Sequence, residues 1–127
     1  MTTEYVALHQ HLQERLGQLG SELPGPMSGF SRLHNKTVES GTLDKKTKEL
    51  MALAISVAVR CEGCIAYHTH DAVEAGATRA ELIETIGLAI MMGGGPASVY
   101  AVYAMDAIEQ FLPVFAGTGT AKRKDKP

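Results

Sequence analysis

The chain has 127 residues, a formal net charge of −2 and a hydrophobic fraction of 45%. That length and apolar content suit one domain with one core, and the slightly acidic balance argues against a nucleic-acid partner. The longest strongly apolar segment, Leu50–Val59, is about half of the roughly 20 residues that a bilayer requires, so no membrane partner is expected.

The opening Met1-Thr2-Thr3-Glu4-Tyr5 lacks the basic and apolar stretches of a secretory signal, and a cytoplasmic protein is the expectation. Val6, Leu8, Leu12, Leu16 and Leu19 recur at near-helical spacing and predict a first helix over Thr3–Leu19, with His9, Gln10, Gln13 and Glu14 on its polar face. Gly20 and Pro24-Gly25-Pro26 end it in a turn. A second helix is expected over Ser28–Ser40, stopped by Gly41.

Asp44 suits the N-cap of a third helix, Lys45 to about Val59. That helix turns apolar almost all round at Leu50, Met51, Leu53, Ile55, Val57 and Val59, so Leu50–Val59 is expected to be the most buried segment, central or shared with another subunit. After a break at Arg60–Gly63, a fourth helix runs from Cys64 to about Ala75, with Gly76 as its left-handed end residue. Thr78-Arg79-Ala80-Glu81 matches a capping box opening a fifth helix through Ile90. Gly93-Gly94-Gly95-Pro96 breaks it, and Pro96 sits in the first turn of a last helix reaching Leu112. No segment alternates like a strand, so the fold class is all-α, a single domain of about six helices.

The chemistry concentrates in Arg60-Cys61-Glu62-Gly63-Cys64-Ile65-Ala66-Tyr67-His68. Two cysteines at this spacing close a small disulfide if the backbone turns, and a helix N-terminus both turns the chain and stabilises a thiolate. His68 follows Cys64 by four residues, which on a helix puts both on one face, where an imidazole takes the thiol proton. Cys61 and Cys64 therefore read as a redox-active dithiol assisted by His68.

Three other readings stay open at this point. The cysteines are inert packing residues, or they bind zinc with His68 and His70, or they belong to a thioredoxin-type site. The second is disfavoured because His70 stands on a different side of the helix, and the third because no βαβ context surrounds the pair. Glu49, taken alone, reads as a solvated glutamate favouring the helix N-terminus. His70 and Asp71 read as surface or supporting groups, and His34 carries no motif.

Asp44-Lys45-Lys46-Thr47-Lys48-Glu49-Leu50, then Cys61-Glu62-Gly63-Cys64 and His68, resembles the AhpD-like branch of the carboxymuconolactone decarboxylase superfamily, whose pattern is a glutamate, eleven residues and CxxCxxxH. Gly76-Ala77-Thr78-Arg79-Ala80-Glu81-Leu82-Ile83-Glu84 is similar to the start of that family's next helix, and the likeness spans roughly Phe30 to Phe111. The resemblance implies an all-α fold assembling as trimers or hexamers, with thiol-dependent peroxidase or disulfide reductase activity and an antioxidant role. It implies that Cys64 attacks peroxide, Cys61 resolves the product as a disulfide, and His68 with Glu49 relays protons.

The implied partners are a peroxide or disulfide substrate and a dithiol or redox-protein electron donor, with no metal or other cofactor. The chain departs from the longer alkylhydroperoxidases in having Gly63 where they carry a histidine inside CxxC, and in lacking their additional N-terminal half. A non-redox lyase using His68 and Glu49 as acid and base, or an oligomeric zinc-binding or redox-sensing protein, is the alternative. Residues 1–27 are expected to form an N-terminal helix and turn, 28–113 the AhpD-like core, and 114–127 a flexible basic tail carrying Lys122-Arg123-Lys124. Helix lengths alone leave open whether Glu49 reaches His68 within one subunit, through crossing helices, or from another.

Overall fold

The computed structural model describes residues 2–116; of the expected tail over 114–127, residues 117–127 lie outside the described residues and 114 and 115 belong to the last helix. Six helices follow in order: α1 (Tyr5–Glu22), α2 (Pro24–Val38), α3 (Lys45–Ala58), α4 (Glu62–Glu74), α5 (Arg79–Gly93) and α6 (Gly95–Phe115). No strand occurs among the described residues, as the periodicity predicted.

The helix ends follow from local chemistry. The Asp44 carboxylate accepts the Thr47 N–H at 2.8 Å and opens α3, and these bonds hold its carboxyl below the usual range. Thr78 and Glu81 exchange both capping-box bonds, Glu81 N–H to Thr78 Oγ1 at 3.2 Å and Thr78 N–H to Glu81 Oε1 at 2.8 Å. Lys46 adds an ion pair to Glu81 at 2.9 Å, tying the first turns of α3 and α5. Gly76, at φ 107°, closes α4 in a Schellman motif, with Gly76 N–H on Val73 O at 3.0 Å and Ala77 N–H on Ala72 O at 2.9 Å.

α3, α4, α5 and α6 pack together, and α1 lies across α4 and α6. Their shared core holds Leu53 and Val57 of α3, Ile65 and Val73 of α4, Leu82 and Ile86 of α5, and Ile108 and Phe111 of α6. Ala97, Ala101, Ala104 and Ala107 repeat every three or four residues along the buried side of α6, and such small side chains let helices approach closely. Gly93 shows how closely: a Cβ there would stand 2.6 Å from Ala97 Cβ. Each large side chain so buried contributes roughly 1.5–3 kcal/mol.

Four expectations are corrected. Pro24-Gly25-Pro26 is not a turn; it is the first turn of α2, where the missing proline N–H costs nothing and the fixed φ fits a helix. His9 is not on a polar face but buried at 4% exposure, because α1 rests on α4 by that side, while Leu16 and Leu19 are 40% and 41% exposed. Leu53 and Val57 are fully buried, but Ile55 is 59% exposed and Val59 63%, because α4 and α5 cover one side of α3 and leave the other bare within one chain. The last helix passes Leu112 and runs through Pro113 to Phe115.

Candidate functional site

Helix α3 ends in a second Schellman motif: Arg60 N–H bonds Val57 O at 3.1 Å and Cys61 N–H bonds Ser56 O at 3.0 Å. The left-handed position that usually takes glycine is occupied by Arg60, at φ 60°. This turn delivers Cys61 to the N-cap of α4, where its sulfur accepts the Cys64 N–H at 3.2 Å. Cys61 and Cys64 are joined as a disulfide with a Cα–Cα distance of 5.2 Å. The unpaired N–H groups of a helix start stabilise negative charge on sulfur there.

Glu62, between the cysteines, has a structural task. Its Oε2 accepts Tyr5 OH at 2.8 Å and Thr3 Oγ1 at 3.1 Å. Burial and the Glu62 carboxylate together push the Tyr5 hydroxyl far above its usual pKa, so it stays a donor. Gln110 of α6 holds the same segment, accepting Tyr5 N–H at 2.6 Å and donating to Thr3 O at 3.0 Å. The entry to α1 is thus bonded to the turn that carries the disulfide.

Glu49 is fully buried, and its Oε1 accepts His68 Nδ1–H at 2.9 Å. The reading of Glu49 as a solvated glutamate is thereby corrected, and the contact forms within one chain. Glu49 lies eleven residues before Arg60 and His68 eight after it, an offset of about 4.5 Å at ~1.5 Å per residue, which a glutamate side chain spans. The carboxylate fixes the imidazole with its proton on Nδ1 and leaves Nε2 as the basic nitrogen.

Over this turn lies a groove of about 870 Å³. Leu12 and Leu16 of α1, with Met27 and Phe30 of α2, form its apolar walls, and Cys61, Cys64 and His68 line it. α2 has no buried residue, so one wall of the groove is a helix that buries nothing deeply within one chain. His34 also lines the groove, its ring centroid 6.4 Å from that of His68. Sequence reasoning left His34 unassigned, since no local spacing links α2 to α4.

His70 does not join the cysteines. Its Nδ1 pairs with Asp71 Oδ1 at 2.8 Å, and its ring stacks on His9 with centroids 3.9 Å apart and planes 18° from parallel. Burial first, then the neighbouring His70, pulls His9 below its ordinary pKa, with Asp71 opposing. Tyr67 and Phe111 complete its surroundings.

A histidine depressed in the folded state binds fewer protons than in the unfolded chain, so its contribution to stability is full above about pH 6.5 and lost as the pH falls towards the folded value. Thermal melts at pH 7 and pH 5 should therefore show a smaller acid-side loss of stability in His9→Leu than in the parent protein. Equal losses would mean that His9 takes up protons alike in the folded and unfolded states.

The comparisons with known proteins agree with this architecture. The sequence profile of the carboxymuconolactone decarboxylase family matches residues 24–107. Uncharacterised proteins of Cupriavidus necator and Haemophilus influenzae are 35% and 36% identical to the chain, over 83% and 84% of its length and 93% and 95% of theirs. Among solved structures, a Legionella pneumophila family protein in its apo form superposes with a TM-score of 0.82 at 43% identity, covering 86% of this chain and 97% of that one.

A Thermotoga maritima family protein, described as a candidate for a role in antioxidative response, gives a TM-score of 0.74 at 30% identity, covering 93% and 97%. A shared profile over most of the helical core, relatives matched over nearly their whole length and a matching fold converge, and the chain belongs to the carboxymuconolactone decarboxylase family.

Proposed function

We propose that the protein is a thiol oxidoreductase that reduces a peroxide or a disulfide through Cys61 and Cys64, in an antioxidant role. The observation that carries this reading is the Cys61–Cys64 disulfide at a helix N-terminus, lining a groove beside the Glu49–His68 pair. In the peroxide reaction the Cys64 thiolate attacks the outer oxygen and the O–O bond breaks. One proton goes to the departing alkoxide, leaving an alcohol and a Cys64 sulfenic acid. The Cys61 thiol then displaces water and forms the disulfide. A dithiol donor, small or on a redox protein, returns two electrons and two protons. His68 Nε2 takes the thiol proton and returns it to the leaving oxygen, while Glu49 holds the ring.

One observation favours a second version of the chemistry. Cys61 is the N-cap and accepts the Cys64 N–H, the placement that best stabilises a thiolate, so in disulfide exchange Cys61 is the sulfur on which substrate is reduced. Both versions belong in a reducing compartment such as the cytoplasm, which keeps the donor supplied. Free-thiol counting after mild peroxide treatment of the reduced protein tests the reading: two thiols lost per chain, then peroxide turnover with a dithiol donor, is the expected result. Two thiols surviving treatment would leave His68 and Glu49 to acid–base chemistry alone.

The oligomeric state is part of this proposal. Ile55 of α3 and Val59 at its C-cap, Met91 and Met92 of α5, and Val99 and Val102 of α6 are each at least half exposed, more bare apolar surface than a small monomer usually carries. A homohexamer, or a trimer, covers it. Sedimentation at micromolar concentration is expected to show no monomer, and a single monomeric boundary would refute the assembly.

A further inference from the structure

We propose that His34, Glu49 and Asp71 form a binding site for a divalent transition-metal cation, beside the disulfide and sharing Glu49 with His68. The three residues come from three helices, α2, α3 and α4, and one donor atom of each lies within 4.8 Å of the others. Around one ion at ~2.0–2.2 Å per bond, donor atoms stand about 3–4.4 Å apart, so small side-chain rotations close the set. One imidazole and two carboxylates are the donors that Zn²⁺, Co²⁺, Fe²⁺ and Mn²⁺ accept, and three protein ligands leave positions open for water or a groove ligand.

A second observation is independent of the clustering. Glu49 is 0% exposed and its Oε2 has no hydrogen-bond partner among the described residues. Asp71, 17% exposed, brings a second carboxylate beside it. Only imidazoles, His68 and His70, pair with these carboxylates among the described residues. The nearby lysines are committed elsewhere, Lys46 to Glu81 and Lys48 to the carbonyls of Thr37 and Glu39. Two close carboxylates in a low-dielectric setting repel unless a cation or a proton lies between them, and a buried carboxylate oxygen without a partner is costly. A divalent cation meets both needs. His34 is placed to complete the set, its Nδ1 lying 3.3 Å from Asn35 Oδ1 and its Nε2 left available.

The neighbouring set His9, His70 and Asp71 is the weaker host. Stacked rings with centroids 3.9 Å apart and planes 18° from parallel keep their in-plane lone pairs in two separate, nearly parallel planes that converge poorly on one ion. At Glu49, by contrast, Oε1 keeps His68 while Oε2 meets the cation. A bound cation draws charge from the carboxylate and weakens its hold on the imidazole proton, so it damps thiol activation at Cys64. That consequence rests on the thiol reading above; the cation site itself does not.

The test uses the metal-stripped full chain with its disulfide oxidised, so that no thiolate is present. Co²⁺ is titrated and followed by its visible d–d absorption and by equilibrium dialysis. One Co²⁺ per chain is expected, without a sulfur charge-transfer band. His34→Ala and Asp71→Asn should each weaken binding at least tenfold, and His9→Ala should leave it unchanged. His34 is half-buried on a helix with no buried residue, so His34→Ala keeps its fold, which circular dichroism verifies. Absence of saturable binding, or wild-type binding by His34→Ala, would overturn the site. Loss in His9→Ala but not His34→Ala would put the ion on the stacked pair, and binding only after disulfide reduction would put it on the thiolates. The first would overturn the proposal without touching the thiol chemistry; the second would overturn it and favour the zinc-binding alternative for the cysteines.

Discussion

Cys64→Ser is expected to reduce peroxide turnover to background, the largest single effect in the molecule. With the attacking sulfur replaced by an oxygen that does not become an anion at neutral pH, neither the sulfenic acid nor the disulfide forms. Cys61→Ser should instead stop after one step and leave a sulfenic acid on Cys64, trapped by a dimedone-type reagent and read as one added mass per chain. The structure makes this pair of variants informative, because the two sulfurs stand in different surroundings. Cys61 is the N-cap of α4 and accepts a backbone N–H, whereas Cys64 lies one turn before His68 on the same helix. Equal trapping on Cys61 in the Cys64→Ser protein would reverse the roles. Absence of trapping in both variants, with disulfide substrates still reduced by the parent, would leave disulfide exchange as the activity and remove direct peroxide attack.

His68→Ala should move the pH profile of Cys64 alkylation towards higher pH. Thiolate and imidazolium stabilise each other, so removing the ring makes the thiol harder to ionise. At neutral pH the rate should fall by somewhat less than about tenfold per unit of that change, since a more basic thiolate is the better nucleophile. Glu49→Gln should act in the same direction and less strongly, since it touches the sulfur only through His68.

The structure adds a control. His68→Ala leaves the fully buried Glu49, whose Oε1 bonds His68, without a side-chain partner among the described residues, which in the metal-free protein costs stability by roughly 1–3 kcal/mol. Combining His68→Ala with Glu49→Gln lessens that burden, so the double variant should recover stability while keeping the shifted profile. The Cys61→Ser background keeps one thiol in view rather than a coupled pair. An unchanged profile in His68→Ala would assign activation of Cys64 to the helix N-terminus alone.

Local chemistry explains which parts of this molecule were legible in the chain. Asp44, the capping box at Thr78–Glu81, Gly76 and Pro96 act on backbone groups within a turn of themselves, and each stands where local rules put it. The same holds for CxxCxxxH: a helix start is enough to bring Cys61 to Cys64, and helical periodicity places His68 one turn later. Pro24-Gly25-Pro26 was misread because proline signals both a turn and a first helical turn, and the residues after it decide between the two.

Other features depend on which helix lies against which. His9 is polar by composition and buried because α1 crosses α4 by that side; Ile55 is apolar and exposed because one chain does not cover both sides of α3. Glu49 looked like a first-turn glutamate until α4 folded back and set His68 at 2.9 Å from it. Thus the all-helical architecture, the capped starts of α3 and α5 and the dithiol with its histidine are properties of the sequence by itself, since each arises from interactions within a few residues. The Glu49–His68 bond, the approach of His34 and Asp71 to the same carboxylate, and the groove above the disulfide were decided only by the tertiary structure. They join residues from separate helices, 15 to 22 positions apart around Glu49 and as many as 56 across the groove, and no local periodicity encodes a distance between helices.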